Sequence, residues 1–172
     1  TATWWTVPCV GAISHLFRAA VLELAREHPF ARRMVNSGRL SVPATLRDSP
    51  LNTPDCDDDF SAPQVPGAVL PDAPLLCGGQ PGWLLRTLGP DFTLLVFGAA
   101  PAWAHSLPQV KVLQIGTGMH DVQDTQGLVT QRLNARPGTM VLVRPDQHLC
   151  ARWRAASETQ VRQALARAMG AA

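Results

Sequence analysis

The sequence predicts an α/β fold: a central mixed sheet flanked by helices, preceded by an N-terminal helical arm and a proline-rich connector. Three observations carry this. Two continuous apolar runs, 92–97 and 110–115, are separated by a stretch the length of a short crossover. A turn at Arg144-Pro145-Asp146-Gln147 joins two further strand-like runs. Upstream of all of these, residues 40–74 hold seven prolines, at 43, 50, 54, 63, 66, 71 and 74.

The arm comes first. Ile13, Leu16, Phe17, Ala20, Val21 and Leu24 recur at the i, i+3, i+4, i+7 spacing of an amphipathic helix over residues 11–27. Glu23, Arg26 and Glu27 fall on the other side. His28-Pro29 closes the helix, because a residue before proline avoids the α region. A shorter helical stretch is expected from Ala31 to Val35, with Gly38 as its stop. The prolines of 40–74 fix φ and remove donors, so neither a helix nor a central strand can run through this segment. It reads as a long ordered connector crossing a surface. The expected boundary lies near Ser61 to Pro66, dividing the arm and connector at 1–62 from a C-terminal domain at 63–172.

Within that domain, Trp83, Leu84, Leu85 and Leu88 suit a short helix ended by Gly89-Pro90. Phe92 to Phe97, bounded by Asp91 and Gly98, reads as a strand buried on both faces. Val110 to Ile115 is a second such strand, and residues 99–107 between them suit a helical crossover, giving a parallel βαβ unit. Met140 to Arg144 and His148 to Trp153 form a hairpin about the Pro145 turn. Ser157 can cap a final helix whose apolar face is Val161, Leu165, Ala168 and Met169, ended by Gly170.

Composition narrows the function classes. With 172 residues, 46% of them hydrophobic, the chain can bury the core of one domain plus an appendage. Fifteen basic against 13 acidic residues leave a charge of +2, which does not suggest a nucleic-acid or membrane-surface protein. Arg26, Arg32, Arg33 and Arg39 are read as solvating a face. The apolar segment Trp4 to Val10 is short, contains Pro8 and has no basic stretch before it, so it fits neither a signal peptide nor a membrane span. Cytoplasmic location is the expectation. An opening at Thr1 suggests a piece of a longer protein.

Several residues invite sharper readings. Cys9, Cys56, Cys77 and Cys150 form no CxxC pair and are read as reduced and structural. Asp55, Asp57 and Asp59 imitate the start of a calcium loop, but Phe60 and Pro66 stand where glycine and glutamate are required. Cys77-Gly78-Gly79-Gln80 could mimic a redox turn, though the glycines suit a tight loop better. His105 sits where a crossover helix begins and reads as a surface histidine before a general base. His15, His28, His120 and His148 lack metal-ligand spacing. Trp103 and Trp153 read as core or interface anchors.

The order βαβ, hairpin, helix resembles the thioredoxin core. The strand Leu94 to Phe97 runs into Gly98-Ala99-Ala100-Pro101-Ala102-Trp103-Ala104-His105, which is similar to a thioredoxin active-site turn without its cysteines. A second resemblance covers nearly the whole chain. Pro29-Phe30-Ala31-Arg32-Arg33, Val35 to Ser41, Pro66-Gly67-Ala68, Leu70 to Leu75 and Gly82 to Arg86 carry it, with Leu142 to His148 and Ala151-Arg152-Trp153. Together they resemble the C-terminal region of class A flavoprotein monooxygenases of the phenol hydroxylase and 3-(3-hydroxyphenyl)propionate hydroxylase type.

The resemblance implies a parent enzyme that uses FAD, NAD(P)H and molecular oxygen to hydroxylate an aromatic small molecule. It also implies an N-terminal flavin domain in the same polypeptide as the partner of this region, and a role in homodimer contacts. The flavin fingerprint itself is missing here: Gly116-Thr117-Gly118 follows a strand, but Asp121 stands where a third glycine belongs. The family's Gly-Asp pair near a proline-rich turn is also missing. The sequence therefore assigns no catalytic, cofactor-binding or metal residues to this chain, and leaves it a structural or assembly role. The competing reading is a stand-alone, redox-inactive thioredoxin-like binding module or degenerate peroxiredoxin.

Overall fold

A computed structural model describes residues 9–31, 43–56, 60, 64–116 and 122–171. The chain divides into two compact units, 1–42 and 43–172. In the first, helix α1 spans Cys9–Glu27. It closes at His28, whose N–H still reaches the Leu24 carbonyl at 2.9 Å, as expected for a residue before proline. One further helical turn covers 29–31, and the continuation expected to Val35 and Gly38 lies outside the described residues. On the apolar stripe, Phe17 and Leu24 are exposed, as are Leu22 and Phe30.

The second unit is built on a seven-stranded sheet in the order β2-β1-β5-β4-β3-β6-β7. Its strands are β1 (Pro74–Cys77), β2 (Gln80–Trp83), β3 (Phe92–Phe97), β4 (Val110–Gly116), β5 (Val122–Gln123), β6 (Met140–Val143) and β7 (Leu149–Trp153). β3 runs parallel to β4 and antiparallel to β6, which pairs antiparallel with β7. This parallel pair with its hairpin is the thioredoxin-like core that the apolar runs predict. The continuous run in β3 is buried on both faces. Leu95 and Phe97 join a core cluster with Val141, Val143 and Leu113. Leu94 and Val96 point the other way, into a cluster with Leu142, Trp153 and Val161.

Short helices cover the two faces. α2 (Leu84–Thr87) and α3 (Leu128–Arg132) supply Leu84 and Val129 to the first cluster. A 3-10 helix at Ala102–Ser106 and α4 (Glu158–Ala168) supply Ala104, Ala164 and Leu165 to the second. The expected cap forms as a full capping box: Ser157 Oγ accepts from the Gln160 N–H at 3.3 Å, and the Gln160 side chain accepts from the Ser157 N–H at 2.9 Å. Met169, expected on the apolar face of α4, is exposed because it already forms the C-cap, one residue past the last buried turn.

Two elements depart from expectation. Trp83 does not begin the helix; it ends β2, with φ −132° and ψ 142°. The segment before it, read as connector and loop, is a hairpin. Gly78 and Gly79 take φ of 55° and 80°, the positive pair that a tight two-residue hairpin turn requires. Pro81 is tolerated because β2 lies at the edge of the sheet.

The connector lies along the opposite edge. Gly67 N–H donates to Leu149 O at 2.7 Å, and Leu149 N–H donates to Ala68 O at 2.9 Å. Leu70 N–H reaches Gln147 O at 2.8 Å, and Thr53 N–H reaches Cys150 O at 2.7 Å. Backbone groups that β7 would otherwise leave open are thus paired within the unit, which removes an aggregation-prone edge. Gly67 turns the connector at φ 93°, where a Cβ would lie 2.3 Å from the Leu46 carbonyl oxygen.

Candidate functional site

The position of a thioredoxin redox turn lies at the carboxyl end of β3, where open α/β sheets commonly bind ligands. Gly98, at φ 107°, turns the chain out of β3. Gln114 of β4 then holds the turn through its Oε1, which accepts from the Ala100 N–H at 2.9 Å. The following helix is a single 3-10 segment that buries Ala104 and leaves His105 exposed. A cavity of about 290 Å³ opens beside the strand ends, lined by Phe97, Gly98, Ile115, Gly116, Thr130 and Arg136 among others. It contains no thiol.

A flavin pyrophosphate would need free backbone N–H groups at a helix start. In this unit the chain fills its own helix starts. At α2, Asp72 Oδ1 accepts from the N–H groups of Ala73 and Leu85, both at 3.0 Å. At α3, Asp124 Oδ2 accepts from Thr130 N–H at 2.9 Å and from Thr130 Oγ1 at 2.8 Å. At α4 the Ser157–Gln160 box does the same. All three starts carry a carboxylate, from Asp72, Asp124 and Glu158, that would repel a phosphate. The starts of α2, α3 and α4 therefore do not fit this group.

The strongest polar constellation lies elsewhere and was not anticipated. Arg152 of β7 has its side chain only 2% exposed. Its Nε and Nη2 donate to the two oxygens of Asp55 at 2.9 and 2.7 Å, a bidentate fork. Its Nη1 donates to Gln64 O at 2.8 Å. The ring of Phe60 receives Arg152 at 4.3 Å and Arg154 at 3.8 Å from its centroid. Arg154 in turn donates to both the backbone and the side-chain oxygen of Asn134, at 2.5 and 2.6 Å. Three connector residues, Asp55, Phe60 and Gln64, are thereby clamped to β7.

The other candidates disperse. Asp55 belongs to this clamp, while Asp57 and Asp59 of the calcium-like run lie outside the described residues. Among the described residues no group of three His, Cys, Asp or Glu side chains could hold a metal. His148 stacks its polar contacts on its own turn, with Nδ1 3.1 Å from Asp146 O. His28 lies exposed beside Phe30, and His15 and His120 carry no described side chain. Trp153 is buried in the core and Trp103 is half-buried against it. Cys56 is exposed, Cys77 half-buried and Cys150 buried, all three as free thiols. Burial pushes the Cys150 thiol up to about 12. Its Sγ faces Leu142 O at 3.4 Å. Cys9 lies in α1.

The family described as aromatic-ring hydroxylase, C-terminal, matches residues 63–172. Among solved structures, the flavin-dependent monooxygenase PieE in complex with FAD and substrate is similar at 26% identity and a TM-score of 0.62, over 73% of this chain and 25% of PieE. Aklavinone-11 hydroxylase, in a ternary complex with FAD and aklavinone, is similar at 19% identity and a TM-score of 0.59, over 71% of this chain and 25% of that one. The substrate-free rebeccamycin biosynthetic enzyme RebC shares 22% identity at a TM-score of 0.57, over 90% of this chain and 27% of RebC. The chain thus spans about a quarter of the length of the structures it matches. No curated protein sequence matches it. Among the described residues, no helix is long and apolar enough to cross a membrane.

Proposed function

This chain belongs to the aromatic-ring hydroxylase C-terminal family, and from that premise we propose that it is the C-terminal region of a cytoplasmic FAD- and NAD(P)H-dependent monooxygenase acting on a phenolic or related aromatic compound. The observation that carries this reading is the family match over 63–172, with a thioredoxin-like fold shared by monooxygenases about four times as long. FAD, when bound to the parent, would pass two electrons from NAD(P)H to molecular oxygen, placing one oxygen atom on the ring and releasing the other as water.

This chain's own residues do something else in the proposal. Its arm and connector, 1–62, continue the flavin and substrate portion of the same polypeptide, and 63–172 forms the appended domain. It contributes stability and assembly, including homodimer contacts, and no catalytic, cofactor or metal residue. Helix starts filled by the chain's own side chains support the lack of a cofactor role, and a connector held to β7 by an internal ion pair supports a role in stability.

The test compares the intact parent with residues 1–172. The parent is expected to purify yellow and to oxidise NADH or NADPH when given a reactive phenol, with hydroxylated product formed. The 172-residue chain is expected to purify colourless and to leave added FAD unbound in equilibrium dialysis. Stoichiometric FAD binding by the 172-residue chain would overturn the proposed division of labour.

A further inference from the structure

A cavity of about 410 Å³ opens on the sheet face formed by β1, β2, β4 and β5, remote in sequence from the clamp. That volume lies within the usual range for small-molecule sites. Cys77, Gly82, Leu113 and Val122, one residue from each of the four strands, line it. Leu113 and Val122 are core residues, and Cys77 packs against them. Gly82 keeps this lining flat: a Cβ there would sit 3.1 Å from the Cys77 sulfur.

The remaining walls have a different character. Trp83 lines the cavity and is 47% exposed, although an indole of this size is ordinarily covered. Arg86 and Lys111 also line it, and among the described residues no carboxylate does. Lys111 Nζ donates to the Thr87 carbonyl, which holds the ammonium at the mouth. Arg86, on α2, is exposed and has no ion-pair partner among the described residues.

We propose that this groove binds a small planar aromatic carboxylate. The ring would lie over the Gly82 surface against the Trp83 indole, and the carboxylate would meet Arg86 and Lys111 at the mouth. Each part of the lining matches one part of that ligand. The apolar strands and the missing side chain at Gly82 favour a flat ring over a branched aliphatic one. Two cations at the mouth favour an acid over its amide, because a guanidinium fork pairs with a carboxylate through charge-assisted hydrogen bonds. The volume of this open groove suits one or two rings, not a folded partner. The site goes beyond the proposed role in the parent enzyme and holds whether or not that role is correct.

The test titrates the 172-residue chain with 2-naphthoate and, separately, with uncharged 2-naphthamide, following amide and indole N–H resonances by NMR. Naphthoate is expected to shift the Trp83 indole, Gly82 and Lys111 signals saturably, and to bind at least about tenfold more tightly than the amide. Arg86→Gln and Lys111→Gln are each expected to weaken naphthoate by roughly fivefold, and Trp83→Ala to weaken both compounds. The side chains changed lie at the cavity wall and outside the buried core, so unchanged melting temperatures will confirm that the variants are folded. Equal affinity for acid and amide, saturable shifts confined to other residues, or no saturation by roughly 10 mM would each overturn the proposal.

Discussion

A guanidinium only 2% exposed is stable in a domain interior only if its donors are satisfied. Arg152 meets that condition with both oxygens of Asp55 and the Gln64 carbonyl, and Phe60 covers one face. Removing one partner leaves the other charge uncompensated. Arg152→Ala is therefore expected to lose about 3 kcal/mol in urea unfolding. Asp55→Asn should lose about as much, since it strands the more deeply buried member. Arg152→Lys keeps the charge but not the fork, and is expected to fall between wild type and Arg152→Ala. The second residue-scale prediction concerns Cys150. Its folded thiol is raised from 9.0 to about 12 by burial. An unfolded thiol ionises from about pH 9 while the folded one cannot, so stability is full below pH 9 and falls between pH 9 and about 12. The loss is on the order of 4 kcal/mol. Cys150→Ala should flatten the alkaline limb of stability against pH, and native Cys150 should resist alkylation at pH 8 while exposed Cys56 reacts.

At the scale of elements, what the sequence revealed depended on periodicity. β3, β4, the β6–β7 hairpin and α4 were legible because their apolar residues repeat with a strand or helix period and end at Gly, Pro or a capping Ser. β1 and β2 were not, since Pro81 and the Gly78-Gly79 pair argue against strands until β2 is known to be an edge. β5, two residues long, is too short to carry a pattern. The clamp was illegible for another reason: Asp55 and Arg152 are 97 residues apart, and nothing local marks either as buried. Half of the connector's purpose was therefore missed, because backbone pairing with β7 leaves no trace in side-chain chemistry. A domain beginning at residue 63, where the family match starts, would lack Leu46, Thr53, Asp55 and Phe60. It would strand Arg152 and uncover part of β7. Residues 63–172 are expected to melt at least about 10 °C below residues 43–172 and to aggregate sooner on heating. Equal melting temperatures would show that the connector adds nothing to the sheet.

For the molecule as a whole, two compact units with separate bounds, 1–42 and 43–172, set different solution behaviour. The second has its own core on both faces of a sheet and should fold alone. The first carries Phe17, Leu22, Leu24 and Phe30 at 69%, 60%, 45% and 54% exposure. Large apolar side chains grouped this way favour self-association. Sedimentation velocity is expected to show concentration-dependent growth for 1–172 and a single monomer for 43–172. Growth in both would move the sticky surface into the sheet domain. The long loop closed by Asp55 and Arg152 also has a temporal meaning. A ribosome adding about 5–20 residues per second needs roughly 5–20 s to advance the 97 positions from Asp55 to Arg152. For that interval the nascent connector has emerged without the strand that will hold it. Chaperones and proteases therefore meet an acidic, proline-rich tether before they meet the folded sheet that will hold it.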